Sequence, residues 1–243
     1  MNLGVLYGIG IGPGDPDLIT VKGSKILAGC RDVFAPKARI TDNSTALAIA
    51  GGHLRDDARI HEMVFPMESD KQRLEESWRA AARRVADVLE SGRDACFLTL
   101  GDAMFYSTYI YLVRALREIL PQVEIVTVPG INAFSAAAAA TEFPVGVGKR
   151  PVTIIPTSDA LDEVREMLGR RGTKVLMKIG NRFEQILDLL EETGAADSAV
   201  FVSRVGMENQ RVATDLAKLR NGPPDTGYLS VILTGGDDGE GGS

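Results

Sequence analysis

With 243 residues, 44% hydrophobic and 25% charged, the chain has an ordinary soluble globular composition and is long enough for one large core or two smaller ones. Its formal net charge of −6 offers no attraction to a nucleic-acid backbone or an anionic membrane, though a local basic pocket for an acidic small molecule stays open. No run approaches the roughly 18 apolar residues of a membrane span. The N-terminus also lacks the basic region and long apolar stretch of a signal peptide, so a cytoplasmic location is expected.

Strand-like apolar runs fall near residues 3–9, 31–35, 59–64, 94–100, 123–128, 151–156, 173–179, 198–203 and 228–234, with helix-like segments between them. The clearest helix is 70–92: Leu74, Trp78, Ala81, Val85, Val88 and Leu89 recur at helical spacing, and Gly92 supplies the stop. Trp78 and this stripe read as core. Such alternation predicts an α/β protein with mixed, largely parallel sheets. Nine strands are many for one open sheet, so two α/β domains are expected, 1–120 and 121–234, followed by an acidic, glycine-rich, disordered tail at 235–243. A small-molecule site is expected in a cleft between the two domains.

The first run leads into GIGIGPGDPDLIT, residues 8–20, where glycines between a strand and a helix suggest a ligand close to the backbone. It is not a dinucleotide fingerprint. Counting from Gly8 and Gly10, the third glycine position is Pro13; counting from Gly10 and Gly12, it is Asp15. Nor is FPVGVGKR a phosphate loop, since Phe143 stands at its first glycine position and Arg150 at the magnesium-binding hydroxyl. A purely structural turn, with Asp15 capping the helix and Pro16 in its first turn, is the alternative for residues 8–20. Cys30 and Cys96 have no metal-ligand spacing and read as buried, reduced thiols. His53 and His61, the only histidines, read as structural.

Further along, LTLGDAMFYSTYIYL (98–112) and VTVPGINAFSAAAA (126–139) each follow an apolar strand, break at glycine and run into a helix. SRVGMENQRV (203–212) makes a fourth such segment. The carboxyl ends of strands are where open α/β sheets bind ligands. Together the four ordered segments resemble the tetrapyrrole methylases, over nearly the whole chain from Gly8 to about Leu233. YGIGIGPGDPDLIT, FPMESD, GDAMFYSTYIYL and LMKIG most resemble the branch of that family that methylates meso carbon 20 of precorrin-2, or of its cobalt form, in cobalamin biosynthesis.

The resemblance implies a methyl donor, S-adenosylmethionine, and no protein-bound metal. Methyl transfer from a sulfonium needs alignment and exclusion of water, which fits a chain without a catalytic triad or histidine cluster. By the resemblance, Pro13, Gly101, Asp102, Ala103, Phe105, Asn132, Ala133, Lys178 and Gly206 contact the donor. A helix cap is the alternative for Asp102. Ala103 departs from the family, which usually has proline there, and a modest loss of donor affinity is expected. Asn132 and Ala133 replace a commoner pair of small hydroxyl residues.

An acceptor rich in carboxylates needs cations and hydrogen-bond donors around a flat apolar trough. Candidates are Tyr106, Ser107, Tyr109, Lys149, Arg150, Arg204 and Arg211, with Lys37 and Arg39 also considered; core packing is the alternative for Tyr109. Asp15 is the candidate base for removing the proton from the methylated carbon, with its capping role the alternative. A homodimer is expected from the family, with no nucleic-acid or membrane partner. Methylation of another ring carbon, ribose methylation of ribosomal RNA and a non-catalytic tetrapyrrole-binding role are the competing functions.

Overall fold

The structure, a computed structural model, describes residues 3–37, 44–65, 70–157 and 160–235. Arg39, the middle of FPMESD and the tail after Gly235 lie outside the described residues. The chain divides into two compact units after Asn132.

The first unit alternates strand and helix: β1 (Leu6–Gly10), α1 (Val21–Gly29), β2 (Asp32–Lys37), α2 (Thr45–Ala50), β3 (Arg59–Val64), α3 (Lys71–Glu90), β4 (Ala95–Thr99), α4 (Tyr109–Ile119) and β5 (Ile125–Val128). Its sheet has the order β3-β2-β4-β1-β5, and every pair is parallel. This order places the carboxyl ends of β4, β1 and β5 side by side, so the loops that follow them meet.

Asp70 starts α3 by accepting hydrogen bonds from the Gln72 and Arg73 N–H groups, and Gly92, at φ 78°, ends the turn after it. Ala82, Val85, Ala86 and Leu89 on α3 pack with Tyr109, Leu112 and Leu116 on α4, over Leu6 and Phe97 of the sheet. Trp78 is half-buried at the margin of this core and stacks on Tyr111, with ring centroids 4.2 Å apart.

The sequence division at residue 121 separates β5 from the sheet that β5 joins. Ile125–Val128 pairs with β1, and the second unit begins with α5 (Ala133–Thr141). That unit continues with β6 (Val152–Pro156), α6 (Leu161–Leu168), β7 (Thr173–Met177), α7 (Phe183–Glu192), β8 (Val200–Ser203), β9 (Arg211–Ala213) and β10 (Ser230–Thr234). Its sheet, β6-β7-β10-β8-β9, is parallel only at β6-β7 and antiparallel elsewhere. Mixed, largely parallel sheets describe the two together. β9, a three-residue edge strand, was not expected from the sequence.

Cys30 and Cys96 are buried and unbridged, and the hydrogen bond with Cys30, with burial second, pushes the Cys96 thiol up. The histidines have structural partners. His53 Nδ1 lies 2.9 Å from Ser24 Oγ, and His61 Nε2 lies 2.8 Å from Oδ1 of the buried Asp32. Arg93 donates to the other Asp32 oxygen at 2.9 Å, so this buried carboxylate is held from both sides.

Candidate functional site

Three loops of the first unit converge at the carboxyl edge of its sheet. After β1, the Ile11 N–H donates to the Thr99 carbonyl at 3.0 Å, which ties the first loop to the end of β4. Gly12 and Gly101 then exchange backbone hydrogen bonds of 2.7 and 3.2 Å, both in the left-handed region at φ 78° and 72°.

Gly130, from the loop after β5, comes closer still. A Cβ on Gly130 would lie 2.1 Å from the Gly101 carbonyl oxygen and 2.7 Å from the Gly10 carbonyl carbon. A Cβ on Gly10 would lie 2.5 Å from the Gly130 nitrogen. The glycines that suggest a ligand against the backbone are thus used first to bring three backbones together. The close approach at these glycines is protein to protein.

Asp102 locks the same junction. Its Oδ1 accepts the Met104 N–H at 2.8 Å and its Oδ2 accepts the Gly130 N–H at 2.9 Å. Both oxygens hold backbone, so Asp102 shapes the second and third loops. This goes beyond capping one helix. Ala103 is fully buried against the α3/α4 core, and Phe105 is half-buried. The Ala103 N–H makes none of the hydrogen bonds found among the described residues. Ala103→Pro is therefore expected to tighten donor binding, by up to about 1 kcal/mol, through a stiffer turn. Calorimetry with S-adenosylhomocysteine checks this, and weaker binding would contradict it.

Pro13 is buried in the first loop. Asp15 Oδ1 accepts the Asp17 N–H at 2.9 Å and caps a single 3-10 turn, Pro16–Leu18. Asn132 and Ala133 are half-buried where the third loop enters α5.

Two acceptor candidates at the start of α4 have structural roles. The Tyr109 side chain is fully buried, its hydroxyl lies 3.0 Å from Thr127 Oγ1, and its ring fills the space that a Cβ on Gly8 would need. Burial raises its phenol pKa. The buried Ser107 Oγ accepts the Tyr109 N–H at 3.0 Å and holds the turn that leads into the helix. Tyr106, by contrast, is exposed. Lys37 is committed to Glu62 at 2.7 Å.

In the second unit, antiparallel β10 lies between β7 and β8, so the ends of those two strands flank its start. Lys178 follows β7, Arg204 and Gly206 follow β8, and Arg211 pairs with Ser203 across β8 and β9. These four candidates share one end of the sheet. The structure does not bring Lys149 and Arg150 to them. Both lie in the turn before β6, and β6 runs parallel to β7, so they sit at the opposite end, a strand length away.

The Arg204 guanidinium is paired with Asp225, and the Gly206 N–H donates to the Gln210 side chain at 2.7 Å. Lys178 has no carboxylate within ion-pair distance among the described residues. It reaches solvent, yet the protein around its ammonium lowers its pKa by desolvation.

Backbone strain marks the same places. Tyr106, Lys178 and Arg204 have φ values of 50°, 60° and 50°, in a region that costs a bulky residue about 1–2 kcal/mol. The sequence reading also missed two hydroxyls. Among the described residues, Thr99 Oγ1 and Ser203 Oγ are buried without a hydrogen-bond partner, and each closes the strand that leads into a candidate loop. A hydroxyl residue ending an apolar run is the only sign of them in the sequence.

Comparison with known proteins places the chain in a family. Residues 5–220 match the family model for Tetrapyrrole (Corrin/Porphyrin) Methylases. The chain is 32% identical over 231 residues to the cobalt-precorrin-2 C(20)-methyltransferase of Salmonella typhimurium, covering 95% of each chain. It is 31% identical over 244 residues to the precorrin-2 C(20)-methyltransferase of a Sinorhizobium species, covering 97% of each. Among solved structures, the uroporphyrin-III C-methyltransferase of Thermus thermophilus, in complex with S-adenosyl homocysteine, shares the fold. Its TM-score is 0.66 at 20% identity, covering 96% of this chain and 98% of that one.

Proposed function

The chain belongs to the tetrapyrrole methylase family, and from that premise we propose that it moves a methyl group from S-adenosylmethionine to meso carbon 20 of precorrin-2 or its cobalt-containing form. The near-full-length likeness to two carbon-20 methyltransferases supports the ring position. The knot of Gly10, Gly101, Gly130 and Asp102 supports the donor site, because it presents three loops as one rigid edge.

In this reading Pro13, Gly101, Asp102, Ala103, Phe105 and Asn132 hold the donor in the first unit. The donor supplies an activated methyl group. The acceptor carbon attacks it, the carbon–sulfur bond breaks with its electron pair going to sulfur, and the acceptor then loses the proton from carbon 20. The protein's share is alignment and exclusion of water. Asp15 is the proposed proton acceptor: one of its oxygens caps the 3-10 turn, and the other makes no hydrogen bond among the described residues.

In the second unit, Arg204 and Arg211 at one sheet end suit the carboxylates of the acceptor. Among the described residues, no helix is long and apolar enough to cross a membrane. A cytoplasmic homodimer that binds neither nucleic acid nor membrane is part of the proposal, in keeping with the net charge of −6.

Incubating the protein with S-adenosylmethionine and either metal-free or cobalt-containing precorrin-2, followed by mass spectrometry, tests the reaction. A gain of one methyl on one of the two acceptors is expected. No gain on either, with the donor still bound, would overturn it.

A further inference from the structure

We propose that Met104 and Tyr106 form a rigid apolar seat for one face of the acceptor macrocycle, an inference that rests on the tetrapyrrole reading above. The segment carrying them is pinned at both ends. Asp102 Oδ1 accepts the Met104 N–H at 2.8 Å, and Ser107 Oγ accepts the Tyr109 N–H at 3.0 Å. Between the pins Tyr106 adopts φ 50°, which a bulky residue rarely does. Its ring stands edge-on to Phe105, with centroids 4.7 Å apart and planes at 71°, and this contact orients it.

The side chains on either side of Phe105 remain in solvent: Met104 is 59% exposed and Tyr106 44%. One short turn therefore bears two costs, exposed apolar surface and a left-handed tyrosine. Strain of this kind, held in place by surrounding hydrogen bonds, points to a binding role.

The occupant follows from the setting. The patch continues directly from the loops joined at Gly12, Gly101 and Gly130, the proposed donor edge. Two side chains are far too little surface for a stable protein partner. A flat conjugated ring matches them: its face meets a polarizable thioether and an aromatic edge, and the tyrosine hydroxyl is left for a polar group at the ring margin. A seat fixed relative to the donor loops would decide which ring carbon meets the methyl group, so these side chains are assigned to positional specificity.

The test separates acceptor from donor. Tyr106→Gly suits the left-handed backbone, so its thermal midpoint is expected to stay at or above that of the unaltered chain. Both Tyr106→Gly and Met104→Ala are expected to raise the acceptor KM about tenfold while the Kd for S-adenosylhomocysteine changes less than about twofold. Tyr106→Phe is expected to recover most of the acceptor affinity that Tyr106→Gly loses.

An acceptor KM within about twofold for both variants, or an equal loss of donor affinity, overturns the seat. A fall of several degrees in the midpoint of Tyr106→Gly overturns it too, because the ring would then be a packing element. If the unaltered chain methylates a different ring carbon and the variants keep this split, the carbon-20 reading fails and the seat stands.

Discussion

Gly130→Ala is expected to cost about 3 kcal/mol or more and to abolish donor binding, because the added methyl meets backbone with no way to swing aside. The Cβ would lie 2.1 Å from the Gly101 carbonyl oxygen and 2.8 Å from Gly10 Cα, so the ends of β1 and the loop after β4 would both have to shift. Two controls grade the effect. Gly12 is left-handed at φ 78°, but its Cβ would meet nothing closer than 3.2 Å, so Gly12→Ala should cost only the strain of about 1–2 kcal/mol. Gly146 has open space around it, and Gly146→Ala should fall within about 0.5 kcal/mol of the unaltered chain. Urea unfolding of the three variants gives the ranking. Equal stability for Gly130→Ala and Gly146→Ala would mean that the loops are not packed as described.

Asp102→Ala should weaken S-adenosylhomocysteine binding by about 2 kcal/mol, roughly thirtyfold, by freeing the Met104 and Gly130 N–H groups. Asp102→Asn keeps one acceptor oxygen and turns the other position into a donor facing an N–H. It should lose one of the two contacts, about 1 kcal/mol or roughly fivefold. The graded pair distinguishes a carboxylate that organises two loops from one that merely starts a helix. Titration calorimetry of both variants measures it, and unchanged affinity in Asp102→Ala would remove Asp102 from the donor site altogether.

Much of the fold is legible in the sequence because strands buried on both faces appear as apolar runs. ACFLT of β4 is buried throughout, and the runs for β1 to β8 and β10 fall where strands form. β9 escapes because RVA is a three-residue edge, mostly exposed and paired on one side only. The parallel or antiparallel sense of β10 leaves no mark on SVILT, since every residue of it is buried and no alternation survives. The place of β5 depends on pairing with β1 more than a hundred residues earlier, a contact that no local pattern carries.

The site divides in the same way. GDPDLIT and GDAMFY signal turns at strand ends, and the turns are there. What the glycines approach is a tertiary fact: Gly10 and Gly130 read as openings for a ligand but are filled by one another and by the Gly101 carbonyl. Tyr109 and Tyr106 sit three residues apart on one motif, yet one is core and the other surface. Only the position of α4 over Gly8 separates them. Lys149 and Arg150 fail as partners of Arg204 for a topological reason, since the turn before β6 opens at the far end of the sheet.

The most direct test of methyl transfer to carbon 20 uses S-adenosylmethionine labelled with carbon-13 in its methyl group, the unaltered protein and precorrin-2 with or without cobalt. The NMR spectrum of the product is then read for the labelled carbon. A single labelled methyl on meso carbon 20 is the predicted result. A labelled methyl on any other ring carbon, or transfer to ribosomal RNA in place of the tetrapyrrole, would contradict it.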